Sequence, residues 1–128
     1  MEFATIPFII EIKSLAIDIK SEKGREIIFK MVETADVLIE NFGPGTMERL
    51  GFGYEVLSII SSTLVYCSLK GFLEGPYEKR HSMDEVVQMM GGLTYMTGPV
   101  GQPLRAGTSV IDIMVGIFGV IGALSAFY

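Results

Sequence analysis

Strand-like and helix-like stretches alternate along this chain, and the alternation predicts an α/β fold with parallel strands. Two short runs, Asp36-Val37-Leu38-Ile39-Glu40 and Leu64-Val65-Tyr66-Cys67-Ser68-Leu69, have the length and apolar, β-branched content of strands. Helical spacing fills the intervals, and Gly/Pro turns punctuate them. Strands separated in this way lie parallel, because a crossover segment must carry the chain back before the next strand starts.

The elements follow in order. Leu15-Ala16-Ile17-Asp18-Ile19 reads as the first strand, and Ser21 caps a helix that continues from Glu22 to about Ala35. Within it Ile27, Ile28, Met31, Val32 and Ala35 share one face. The strand at 36–40 ends in the turn Asn41-Phe42-Gly43-Pro44-Gly45. Short helices are expected at Thr46 to Leu50 and Tyr54 to Ile60, ahead of the strand at 64–69. Past Gly71 the sequence turns loop-rich, through Gly75-Pro76 and Glu78-Lys79-Arg80, until a helix from Met83 to Met90 that Gly91-Gly92 closes. A loop through Gly98-Pro99, Gly101 and Pro103 then leads to a last helix beginning near Thr108 or Ser109.

Composition narrows the function. With 128 residues, 49% hydrophobic and 20% charged, the chain is one domain that buries a core. Its formal charge of −5, with no Lys/Arg stripe, argues against nucleic acid as a partner. A single cysteine, Cys67, excludes an internal disulfide framework and a four-thiolate zinc site, and it fits a reducing, cytoplasmic setting. No metal site is expected. Cys67 itself, inside an apolar run and without a matching His, reads as an inert thiol.

Two apolar ends need separate treatment. The segment Met1 to Ile10 carries Glu2 where a signal peptide carries positive charge, so it is not read as a targeting signal. Ile113 to Tyr128 is apolar apart from Ser125, but it falls short of the roughly 20 residues that span a bilayer. A buried soluble helix is the expectation, and a membrane is not an expected partner.

That last helix is the most informative element. Ser109, Asp112, Gly116, Gly119, Ala123 and Ala126 recur at helical spacing and line small side chains along one face. Another backbone can approach such a face closely. A chain this short has little material to surround an apolar helix, so further cover must come from a partner subunit, additional sequence, or both. Asp112 is the one acid on this element. It is either an N-terminal carboxylate favoured by the helix dipole or a carboxylate kept ionised to serve as nucleophile or base, and spacing does not choose.

An ordered series of segments resembles the class III coenzyme A transferases, the CaiB/BaiF family. It comprises Ser14-Leu15-Ala16-Ile17-Asp18-Ile19-Lys20, Gly24-Arg25, Ala35 through Gly45, Met47-Glu48-Arg49-Leu50-Gly51 and Ser68-Leu69-Lys70-Gly71-Phe72. Gly75-Pro76-Tyr77, Asp84-Glu85-Val86-Val87-Gln88, Met90-Gly91-Gly92, Thr97-Gly98 and Pro103-Leu104-Arg105-Ala106-Gly107 leading to Asp112 and Gly116 complete it. The resemblance implies a Rossmann-like parallel sheet with flanking helices, here incomplete relative to the family, and ending in a long buried helix. It also implies an interlocked homodimer.

The same resemblance implies an activity: coenzyme A moves from an acyl-CoA to a carboxylic acid through a covalent intermediate on an aspartate, which matches Asp112. Asp84 matches an acidic residue near the reacting groups, and His81 a basic one. Ile17, Lys20, Asn41, Phe42, Arg49 and Leu50 match positions that contact coenzyme A. Taken singly, Lys20 and Arg49 also read as solvated charges, Asn41 as a turn former and Asp84 as a helix N-cap. A racemase branch of the superfamily competes, but its acid–base pair commonly has a His directly before the aspartate of the middle helix, and here Met83 precedes Asp84.

Family members are longer. Residues 1–13 form a divergent N-terminal segment, and 14–128 match part of the family's large domain. A non-catalytic or truncated remnant is therefore an alternative to an active transferase. The stretch from Lys70 to Tyr77 resembles relatives acting on small dicarboxylic acids, with formyl, oxalyl or succinyl donors.

Overall fold

Ser21 opens the first regular element as expected: its Oγ accepts the Gly24 N–H at 3.1 Å, and helix α1 runs Glu22–Val32. The structure is a computed structural model that describes residues 13–128. After α1 come strand β1 (Val37–Glu40), helices α2 (Thr46–Leu50) and α3 (Tyr54–Ile60), and strand β2 (Val65–Ser68). Helices α4 (Asp84–Met90), α5 (Leu93–Thr97) and α6 (Val110–Phe127) complete the chain.

β1 and β2 are parallel, with Val37 opposite Val65 and Glu40 opposite Ser68. The α/β class and the parallel pairing are as the sequence predicts. Alternation along each strand sends successive side chains to opposite faces, and this sorts the packing. Leu38 and Tyr66 point to a core of Val32, Met47, Phe52, Leu57 and Leu64, which α1, α2 and α3 build with their neighbouring segments. Ile28, Phe29 and Ile60 pack around it, and Phe29 meets Phe52 edge-on at 5.6 Å.

The other face belongs to α6. Cys67 and Leu69 turn toward it, and Gly119 is where the helix comes nearest: a Cβ there would lie 2.6 Å from Leu69 Cδ2 and 3.5 Å from Cys67 Sγ. Close approach at the small-residue face, as expected, is therefore real at Gly119. Ile39, on β1, has no such cover and is 60% exposed.

Two expectations fail. The strand at Leu15 to Ile19 does not form: Asp18 instead starts a turn, its carbonyl accepting the Ser21 N–H at 3.1 Å and its Oδ1 the Lys20 N–H at 2.9 Å. A strand exists only by pairing, and among the described residues the sheet holds β1 and β2 alone. The alternating pattern survives in burial, with Ile17 and Ile19 half-buried between exposed neighbours.

Burial of the last helix is the second failure, since no residue of α6 is buried. β2 and α4 touch one side of it only, and Phe118, for example, stays 63% exposed. At 18 residues the helix is about 27 Å long, just under the thickness of a bilayer's hydrocarbon core. Helix α5 occupies a stretch to which the sequence assigned no element; Gly92 enters it with φ +79°, a left-handed conformation that suits glycine. Residues 1–12, with the apolar opening segment, lie outside the described residues.

Candidate active site

The carboxyl ends of two adjacent parallel strands are where an open α/β sheet presents groups to a ligand, and a cavity of about 470 Å³ lies there. Its wall includes Asn41 and Phe42 after β1, Lys70 and Gly71 after β2, and His81, Asp84 and Asp112. Five residues singled out from the sequence, far apart along the chain, therefore meet: Asn41, Phe42, His81, Asp84 and Asp112.

Backbone contact brings the middle of the chain in. A Cβ at Gly43 would sit 2.5 Å from His81 Cε1, and one at Gly71 would sit 2.0 Å from Ser82 Oγ and 2.4 Å from Ser82 Cβ. Glycine at 71 thus lets Ser82 close in on the loop after β2, while at Gly43 the neighbour is the tip of the His81 ring. Just before it, Arg80 stacks its guanidinium 4.9 Å over the Tyr77 ring and also lines the cavity.

Asp112 sits in the first turn of α6 and is exposed. Its side-chain carboxylate has no hydrogen bond or ion pair among the described residues. The backbone beneath it is held by Asp84. Ser109, the N-cap of α6, makes no side-chain cap; Asp84 supplies one from α4, its Oδ2 accepting the Ile111 N–H at 2.8 Å and the Asp112 N–H at 3.2 Å. The N-cap reading of Asp84 is thus right in kind and wrong in place: it caps α6, while Met83 occupies the N-cap of α4.

Asp84 is 5% exposed, and its other oxygen accepts from Gln88 Nε2. Gln88, fully buried, donates to the Thr108 carbonyl at 3.3 Å and accepts the Ala106 N–H at 2.9 Å.

A second network lies behind two residues of the cavity wall, Phe42 and Lys70. Glu40 is 7% exposed, yet it is paired: Lys70 Nζ donates to its two oxygens at 2.8 and 2.9 Å, Ser68 Oγ donates to Oε1, and the Phe42 N–H donates to Oε2 at 2.8 Å. Burial pushes the Glu40 carboxyl up, but the hydrogen bonds from Lys70, Ser68 and Phe42 and the Lys70 charge outweigh it, so the carboxyl titrates below its ordinary range. Lys70 also donates to the Phe42 carbonyl, which fixes the loop that carries Asn41 and Phe42.

The remaining predicted residues stand elsewhere. Ile17 lies just before, and Lys20 within, the turn that leads into α1, and neither lines the cavity. Arg49 braces its own turn, donating to Thr46 Oγ1 at 2.8 Å, and the Leu50 carbonyl accepts from Arg25. Glu40, Lys70, Arg80 and Gln88 were not among the residues the sequence singled out for the site. A lone acid closing an apolar strand was the one available signal for Glu40; the amide of Gln88 had none.

The profile of CoA-transferase family III matches residues 12–128. The chain belongs to CoA-transferase family III. Among family III proteins it is 40% identical over 117 residues to a formyl-CoA:oxalate CoA-transferase of Streptomyces coelicolor, an overlap covering 91% of this chain and 28% of that protein. An acetyl-CoA:oxalate CoA-transferase of Acetobacter aceti is 44% identical over 119 residues, covering 91% of this chain and 31% of that protein. The crystal structure of a CaiB/BaiF family protein from Brucella suis superposes with a TM-score of 0.80 at 41% identity, over 85% of this chain and 29% of that one. The chain therefore spans less than a third of the length of these family III relatives.

Proposed function

We propose that the chain transfers coenzyme A between carboxylic acids, with Asp112 as the nucleophile. One observation carries the reading: a carboxylate on the first turn of α6, unpartnered among the described residues, lines a cavity shared with Asn41, Phe42 and His81 at the ends of both strands. Membership of family III supports the transfer of coenzyme A.

In this reading an Asp112 oxygen attacks the thioester carbonyl of the donor, the C–S bond breaks, and a mixed anhydride and CoA thiolate result. Attack by the thiolate on the Asp112 carbonyl carbon expels the donor acid as its carboxylate and leaves an aspartyl thioester. The acceptor carboxylate then displaces the thiolate to form a new anhydride, whose acyl carbon the thiolate attacks, giving the new acyl-CoA and restoring Asp112. No net proton is gained or lost. Dividing one hard displacement into four easier ones is the benefit of the covalent route.

The amides of Ile111 and Asp112 already serve Asp84, so they cannot hold the developing oxyanion. We assign that contact to Asn41, whose side-chain amide has no partner among the described residues. Ile17, Lys20, Arg49 and Leu50, which lie outside the cavity, are our candidates for contacts to the nucleotide end of coenzyme A. Asp84, buried with both oxygens committed, is poorly set to move a proton, which supports transfer over racemisation. The uncovered apolar side chains of α6 support a homodimer, and the free thiol of Cys67 supports a reducing, cytoplasmic compartment.

The test is chromatographic. The chain is incubated with formyl-CoA or acetyl-CoA and oxalate, and oxalyl-CoA is measured against an Asp112→Ala control. Product from the wild type alone supports the reading; no product from either assigns the chain to a non-catalytic part of a transferase.

A further inference from the structure

We propose that Gln88 is the positioning residue that sets the place of Asp112, an inference that rests on the reading of Asp112 as nucleophile. Gln88 has no exposed surface and does not line the cavity, so it cannot touch a substrate there. Its amide nonetheless holds three separate parts of the site. Nε2 donates to Asp84 Oδ1 and, at 3.3 Å, to the Thr108 carbonyl; Oε1 accepts the Ala106 N–H at 2.9 Å.

Each bond acts on the start of α6. The Asp84 bond ties down Oδ1 and so keeps Oδ2 turned toward the Ile111 and Asp112 amides; without it those two amide bonds alone set the orientation of the carboxylate. The Ala106 and Thr108 bonds anchor the turn that leads into the helix at two points. Ser109 makes no side-chain cap of its own, so no local device replaces the clamp. Because the Asp112 side chain is unpartnered among the described residues, its position follows its backbone. A covalent nucleophile tolerates little displacement, since misplacement by about 1 Å can cost about a hundredfold in rate.

The experiment uses the full 128-residue chain. Gln88→Met keeps the length of the side chain and removes all three hydrogen bonds. Amide hydrogen exchange is read residue by residue, and CoA transfer is read as separate kcat and KM values. The expected result is exchange at Ile111 and Asp112 faster by about tenfold or more, with α1, β1 and β2 unchanged. The expected kcat is about tenfold to a hundredfold lower, with KM for acyl-CoA within about twofold of the wild type. Unchanged exchange at these two amides overturns the proposal, as does an unchanged kcat or a loss confined to KM.

Should Gln88→Met fail to fold by circular dichroism, Gln88→Glu provides the same readings. It keeps the acceptor for the Ala106 N–H but sets an acceptor against Asp84 Oδ1. A wild-type chain without transfer activity contradicts the reading of Asp112 and not the clamp, which the exchange comparison then decides alone.

Discussion

Asp84 caps the helix that carries Asp112: its Oδ2 accepts the Asp112 backbone N–H at 3.2 Å, across 28 residues of sequence. One acid thereby holds the other's backbone while remaining buried itself. Asp84→Ala leaves the Ile111 and Asp112 amides unsatisfied, and we expect a loss of about 1–3 kcal/mol in urea unfolding. Asp84→Asn retains an acceptor oxygen and is expected to cost about 1 kcal/mol.

The Glu40–Lys70 pair should make stability depend on acid in a defined direction. Glu40 titrates below its ordinary value of 4.5 in the folded chain, so its contribution is fully present above that pH and is lost as pH falls through the lower, folded value. Glu40→Gln is expected to cost roughly 2 kcal/mol at neutral pH, because Lys70 and Ser68 lose a charged acceptor. The gap between wild type and variant should narrow below pH 4.5, as followed by urea midpoints; a gap that widens on acidification contradicts the pairing.

Gly71 and Ser82 should show strong coupling. Gly71→Ala drives a methyl group into Ser82, whose Cβ would lie 2.4 Å away, and the expected cost is about 1–3 kcal/mol. Ser82→Gly removes the obstacle, so the double variant should recover much of that loss. A double-mutant cycle measures this directly, and additive costs would show that the two segments do not press on each other.

Tyr66 illustrates the opposite case. Its hydroxyl is buried without a hydrogen-bond partner among the described residues, and burial, with the Glu40 and Glu48 charges, raises its pKa to about 12. Tyr66→Phe removes an unsatisfied group while keeping the ring that meets Tyr54 at 6.1 Å. Stability should be unchanged or higher by up to about 1 kcal/mol, and the absorbance titration should lose its most alkaline tyrosine.

The sequence was most legible where structure is local. Helices α2 and α3 fall where helical spacing puts them, and Ser21 caps α1, because caps and spacing act within a few residues. Leu15 to Ile19 misled because its alternation reports which side chains face inward, whereas a ladder requires a partner strand. The exposure of α6 was hidden for a related reason: an apolar helix announces a need for cover but not its supplier. Resemblance found Asn41, His81, Asp84 and Asp112, but the Gln88 clamp joins residues 18 and 20 apart through a neutral amide that leaves no periodic signature.

The covalent role of Asp112 is tested most directly by peptide mass mapping after incubation with an acyl-CoA and quenching with hydroxylamine. We predict a hydroxamate on the peptide containing Asp112 in the wild type and none in Asp112→Ala. A chain that turns over acyl-CoA without that adduct, or an equal adduct in Asp112→Ala, would contradict the covalent mechanism.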